Sequence, residues 1–265
     1  MTHGSRDRIA PFVRLGTLLA LVLLLASPAV AENAPLPFLN TIELKPIKGA
    51  PKDRFEVRLY HKDPAVLASY LATERSYAIT ENKEYVAVTS DRYSYPRKTG
   101  QIAIKPSFVN DYDLDVFQRI REQVIGTYGA VPSDASLVEF VNKYIEKKNY
   151  TRGFDIASQV VGTKEGDCTE HAVLLVSLMR MFKIPAKVVF GLKLLKLGDD
   201  YGAYTHAWVE YLQKGKWKAA DATLAIAVDR TYIPVGTLEN EGMDFVMDLV
   251  PVLQMMPYRI EASGI

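Results

Sequence analysis

The sequence predicts an α+β fold, and three observations carry that reading. Helical patterns gather between residues 114 and 182, strand patterns follow between 188 and 220, and the stretch before 114 is mixed and β-leaning. At 265 residues, 48% hydrophobic and 24% charged, the chain can bury a core without disulfide support.

Each element follows from a local pattern. Residues 32–52 hold Pro35, Pro37, Pro46, Pro51 and Gly49 and read as an extended lead-in with one strand at 41–45. Residues 55–60 alternate apolar and polar side chains, as a strand does. Asp63 or Pro64 opens a short helix reaching residue 72. Strands at 77–80 and 84–89 flank Glu81-Asn82-Lys83 as a hairpin, and 102–104 adds a further strand. His61 reads as a surface residue at a strand end. Residues 116–125 form a helix, and Ser133-Asp134 caps another, with Leu137, Val138, Phe140, Val141, Tyr144 and Ile145 at helical spacing. Residues 150–164 read as loose. Residues 172–182 are apolar nearly all round, which describes a central buried helix ended by Ile184-Pro185-Ala186. Strands follow at 188–194, 207–212 and 217–220, the last two joined by the turn Gln213-Lys214-Gly215-Lys216. Beyond them, 231–235 reads as a strand, 242–250 as a short helix and 253–258 as an apolar tail, and the methionines of residues 226–265 read as core filler, with an exposed patch for a partner as the alternative.

The N-terminus has a different texture. Arg6, Arg8 and Arg14 form a basic start, residues 15–26 are almost unbroken in apolar side chains, and Ala29-Val30-Ala31 is a small-x-small cleavage pattern. Residues 1–31 are therefore expected to be a secretory signal peptide, with a retained anchor as the alternative. The run is short for a membrane span, and no later stretch approaches eighteen apolar residues, so no stable membrane span is expected after cleavage. The expected division is 1–31 signal, 32–114 a β-leaning region of unknown role, 115–225 a catalytic core and 226–265 a C-terminal extension of that core. The location is exported, periplasmic or extracellular. The formal net charge is +1, and removing three Arg and one Asp with the signal leaves about −1, so nothing points to nucleic acid.

The single cysteine excludes an intramolecular disulfide, and a lone thiol in an oxidising compartment suggests a use, with a buried inert cysteine as the alternative. Gly166-Asp167-Cys168 places that thiol after a glycine turn at a helix start, where free N–H groups favour a thiolate and offer an oxyanion donor. Thr205-His206-Ala207-Trp208 puts an imidazole at the mouth of a strand, able to take the thiol proton. Asp221 follows the next strand, and hairpin pairing sets it beside His206, where an orienting carboxylate is needed. His171 is the rival base, but it lies on the helix of Cys168 rather than across a cleft and reads as a packing or supporting residue. Trp208 reads as sheet core, with a water-screening role beside the thiol as the alternative. Asp167 and Glu170 read as solvated or capping residues. Cys168, His171, His206 and Asp221 also offer a nominal zinc set.

The blocks Gly166-Asp167-Cys168-Thr169-Glu170-His171-Ala172, Ile184-Pro185-Ala186 with Val188 and Gly191, His206-Ala207-Trp208-Val209-Glu210 and Asp221-Ala222-Thr223 resemble the core of the transglutaminase-like superfamily. The resemblance spans roughly residues 115–225, with spacings of 38 and 15 residues along Cys168, His206 and Asp221. It implies a papain-like α+β fold with Cys168 on the central helix and His206 and Asp221 on the sheet, and it accounts for these residues without a metal or cofactor. Ala222 departs from the proline common after the aspartate. The implied activity is cysteine-dependent acyl transfer from an amide, to water or to an amine, on protein or peptide substrates, cell-envelope material included. The alternative is a non-turnover module that binds peptide or protein in the same cleft.

Overall fold

The computed structural model describes residues 43–44, 47–48, 53–97, 102, 104–148, 154–197 and 200–263. The expected signal segment lies outside the described residues. In chain order the elements are strands β1 (Glu43–Leu44), β2 (Ile47–Lys48) and β3 (Phe55–Tyr60), helix α1 (Pro64–Glu74), β4 (Ala78–Glu81), β5 (Tyr85–Ser90), α2 (Val116–Tyr128), α3 (Asp134–Tyr144), β6 (Lys147–Lys148), α4 (Ala157–Thr163), β7 (Glu165–Gly166), α5 (Cys168–Met181), β8 (Ala186–Leu197), β9 (Asp200–Gln213), β10 (Lys216–Ala220), β11 (Tyr232–Thr237), α6 (Val246–Gln254) and β12 (Arg259–Ser263).

Local chemistry starts and stops these elements. Asp63 caps α1 by accepting the Val66 N–H, with Pro64 in the first turn where its missing donor costs nothing. Ser133 caps α3 through the Ser136 N–H. Lys214 and Gly215 both have positive φ, 51° and 71°, a two-residue turn whose twist matches that of the strands it joins. That turn fixes the pairing of β9 with β10, from Gln213 opposite Lys216 to Val209 opposite Ala220.

Two sheets result. One has the order β1-β12-β3-β5-β4, so the C-terminal strand β12 lies between β1 and β3. The other is the antiparallel run β10-β9-β8-β11, with β2 added to β9. The long strands β8 and β9 serve two cores. Ala186, Val188, Phe190, Ala207, Val209 and Tyr211 pack against helices α2 to α5. Further along, Leu192, Leu194 and Ala203 join Ile233 and Val235 against α1 and the first sheet. Helix α5 runs through the first core, with Val173, Leu174, Leu175 and Val176 wholly buried. Each such side chain contributes about 1.5–3 kcal/mol relative to exposure.

Four expectations are corrected. The loose segment contains α4, whose first N–H, that of Ala157, bonds to Val109 O; this anchor is non-local. Residues 102 and 104 are not in a strand, and 103 lies outside the described residues. The start of the apolar tail, residues 253 and 254, belongs to α6, and β12 follows the tail and pairs with β3. Met243 and Met247 are exposed rather than core filler. No helix among the described residues is long and apolar enough to cross a membrane.

Candidate active site

The site begins at the start of α5. Gly166 is required there, because a Cβ would lie 2.3 Å from Glu170 Cβ. Asp167 is the N-cap and accepts the Thr169 N–H at 2.8 Å, while Glu170 Oε2 accepts the Asp167 N–H at 2.8 Å. This reciprocal box satisfies donors a helix start would otherwise leave bare. Glu170 Oε1 also accepts the Asp155 N–H at 3.1 Å. Both acids cap as expected, but neither is solvated: Asp167 is buried and Glu170 is fully enclosed. Burial, and then the Asp167 charge, push Glu170 up to about 8.

Cys168 takes the first helical position and is half-buried. Strand β10 stops opposite Val209, so the edge of β9 beyond it is open toward this helix end. The Ala207 N–H, part of the peptide that links His206 to Ala207, is near enough to act on the sulfur's charge. Burial pushes the thiol above its usual range, the carboxylates of Asp167, Glu170 and Asp221 add to this, and the Ala207 N–H opposes it. The expectation that the helix start favours a thiolate is thus outweighed. Negative neighbours and low polarity favour the neutral thiol.

His206 lies within β9, opposite Gly191, rather than at the strand's mouth. Its Nε2–H donates to Asp221 Oδ2 at 2.8 Å. Asp221, at 1% exposure, directly follows β10. Its Oδ1 accepts the N–H groups of Thr223 (2.8 Å) and Leu224 (3.2 Å), and Oδ2 also accepts the Tyr232 O–H at 2.7 Å. Burial alone would raise this carboxyl, but the His206 hydrogen bond and charge, with the Tyr232 and Leu224 donors, hold it below the usual carboxylate range. Because Nε2 is engaged, Nδ1 is the nitrogen left for chemistry. Among the described residues the thiol makes no hydrogen bond to His206.

Trp208 is buried, donates from Nε1 to Tyr93 Oη at 2.7 Å and stacks on the His206 ring at 6.0 Å between centroids. It is both sheet core and a wall behind the imidazole. Gly191 makes room for it, since a Cβ there would meet Trp208 Cη2 at 2.7 Å and Ile233 O at 2.2 Å. His171 is buried, with Nδ1 2.6 Å from Asp167 O and Nε2 3.1 Å from Lys148 Nζ. Burial and the Lys148 and His206 charges push it down to about 4. Nδ1 thus carries the proton and Nε2 accepts from Lys148. Both nitrogens are occupied, so this ring supports the helix start. Among the described residues no group of three or more His, Cys, Asp or Glu side chains is arranged to hold a metal ion.

Sequence reading missed four contributors. Tyr232 reaches Asp221, and Lys148 spans His171 and Thr223 O. Beneath Trp208, Tyr93 donates to Glu210, which also pairs with Arg75 at 2.5 Å. All four come from elements whose placement is non-local, and nothing in their own neighbourhoods signals it.

Residues 127–222, which hold Cys168, His206 and Asp221, match the family described as the Transglutaminase-like superfamily. Among solved structures the chain is similar to a candidate cysteine protease from Cytophaga hutchinsonii, at 12% identity and TM-score 0.47, over 83% of this chain and 82% of that one. It is also similar to the periplasmic domain of TgpA from Pseudomonas aeruginosa bound to ethylmercury, at 15% identity and TM-score 0.39, over 74% and 88%. No curated protein matches.

Proposed function

We propose, with the transglutaminase-like core of residues 127–222 as the premise, that this protein is an exported cysteine-dependent acyl-transfer enzyme acting on amide bonds of proteins or peptides. The observation that carries the reading is the 2.8 Å bond from His206 Nε2 to Asp221, and it is supported by the electrostatic coupling of the Cys168 sulfur to the adjoining Ala207 N–H. In this mechanism His206 Nδ1 takes the thiol proton as the sulfur attacks a substrate carbonyl carbon. The carbonyl π electrons move onto oxygen, and in this reading the Cys168 N–H at the helix start stabilises that oxyanion. Collapse breaks the C–N bond as imidazolium protonates the leaving amine, and a thioester remains. Water or a second amine then gives its proton to His206 and attacks the thioester, releasing acid or new amide and restoring the thiol. Asp221 orients the ring and balances its positive charge throughout. The basic start, apolar run and Ala29-Val30-Ala31 support export, which makes cell-envelope peptides the first substrates to try.

The test is acid-quenched mass spectrometry of the purified protein after incubation with a cell-envelope peptide digest. An acyl group is expected on Cys168 in the wild type and not in Cys168→Ser. A primary-amine probe that becomes joined to the acyl group identifies transfer, and one left free identifies hydrolysis. Absence of any adduct, together with equal iodoacetamide labelling rates in wild type and His206→Ala, would mean a non-turnover binding module.

A further inference from the structure

We infer that Tyr232 is a positioning residue for the Cys168–His206–Asp221 centre, its O–H and the His206 Nε2–H sharing one carboxylate oxygen of Asp221. The inference rests on the proposed reading of that centre.

The two donors lie 2.7 and 2.8 Å from Asp221 Oδ2, while the Thr223 and Leu224 N–H groups hold Oδ1. Each oxygen is thus fixed from two directions. Oδ1 is held by the Asp221 loop itself, but Oδ2 depends on side chains. Without the phenol, only the imidazole it is meant to orient would hold it. Tyr232 is itself held firmly. It is 1% exposed, packs edge-on against Trp208 at 5.3 Å between centroids, and carries Lys193 Nζ 3.9 Å above its ring. Lys193 is the direct cross-strand partner of Tyr232, bonds to the Thr231 hydroxyl and lies 3.7 Å from Asp229. A cation on the ring face draws electron density from the phenol and makes its O–H a stronger donor.

Donors to a carboxylate favour its ionised form. Besides His206 and Tyr232, the groups coupled to Asp221 by charge are Cys168 and His171 on α5, Lys148 on β6 and Lys193 on β8. Tyr232 therefore acts at the moment His206 becomes imidazolium, by keeping a charged oxygen aimed at Nε2. A tyrosine that only filled the sheet would not need this bond.

The experiment measures iodoacetamide labelling of Cys168, the only thiol, against pH in the full chain. The variants are Tyr232→Phe, Asp221→Asn, the pair combined and His206→Ala. Phenylalanine keeps the ring against Trp208 and Lys193. Thermal unfolding of each variant confirms that it folds. Tyr232→Phe is expected to slow labelling near neutral pH by about tenfold, the scale of a lost hydrogen bond to a charged group, and to move the acid limb to higher pH. The combined variant should label no more slowly than Asp221→Asn alone, because the phenol acts through that carboxylate. A Tyr232→Phe profile that overlays the wild type, or equal slowing with and without Asp221, overturns the inference alone, provided that His206→Ala is slow. An unaffected His206→Ala overturns the centre, and this inference with it.

Discussion

The two ends of helix α5 bury charge in opposite ways. At the C-terminal end, Arg180 donates through Nε and Nη2 to Ala186 O and meets Glu241 through Nη1 and Nη2 at 2.5 and 2.7 Å. Cation and anion are matched and the end is closed. At the N-terminal end, Asp167, Glu170 and Asp221 surround a thiol, and all three oppose its ionisation. That contrast separates a charge that ties elements together from charges that tune chemistry. A saturated pair fixes β8 and the segment around Glu241 against the helix. An unbalanced set leaves a proton that only a neighbouring base can move.

The largest effect on stability should come from the closed end. Arg180→Ala leaves Glu241 buried without its cation, and such a loss costs about 3–5 kcal/mol. Denaturant midpoints should fall accordingly, while the labelling rate of Cys168 in the folded fraction stays near that of the wild type. If Arg180→Ala instead changed labelling and spared stability, the contrast between the two ends would be lost.

A smaller effect is expected at Glu170, and its sign follows from linkage. Its folded pKa, about 8, lies above the usual 4.5. The protonated form therefore adds stability that is fully present below about 4.5 and lost as pH rises through 8. The wild-type free energy of unfolding should decline over that window by an amount on the order of a few kcal/mol. Glu170→Gln should flatten the decline. It should also speed labelling at alkaline pH, since one charge opposing the thiolate is gone. His171 works in the opposite sense. Held neutral down to about 4 against a usual 6.5, it contributes stability that is lost as pH falls through that interval.

The same contrast explains what was legible in the sequence. The start of α5 could be read because glycine turn, cap and thiol are consecutive, and capping is local chemistry. The pairing of His206 with Asp221 could be read because a two-residue turn at Lys214-Gly215 sets the register between them. Tyr232 could not, because β11 pairs with β8 and two strands intervene along the chain, so no single turn sets its register. Arg75, at the end of α1, and Tyr93, just beyond β5, approach Glu210 from more than a hundred residues away along the chain. The burial of Asp167 and Glu170 was misread because a polar pattern shows no trace of the backbone that later covers it.

The most direct test of the central claim, that His206 removes the proton of a neutral Cys168 thiol as it reacts, is the solvent deuterium isotope effect on iodoacetamide labelling of Cys168. A normal effect in the wild type that disappears in His206→Ala, where labelling is also about a hundredfold slower or more, is the predicted result. The same isotope effect and the same rate in both proteins would contradict it.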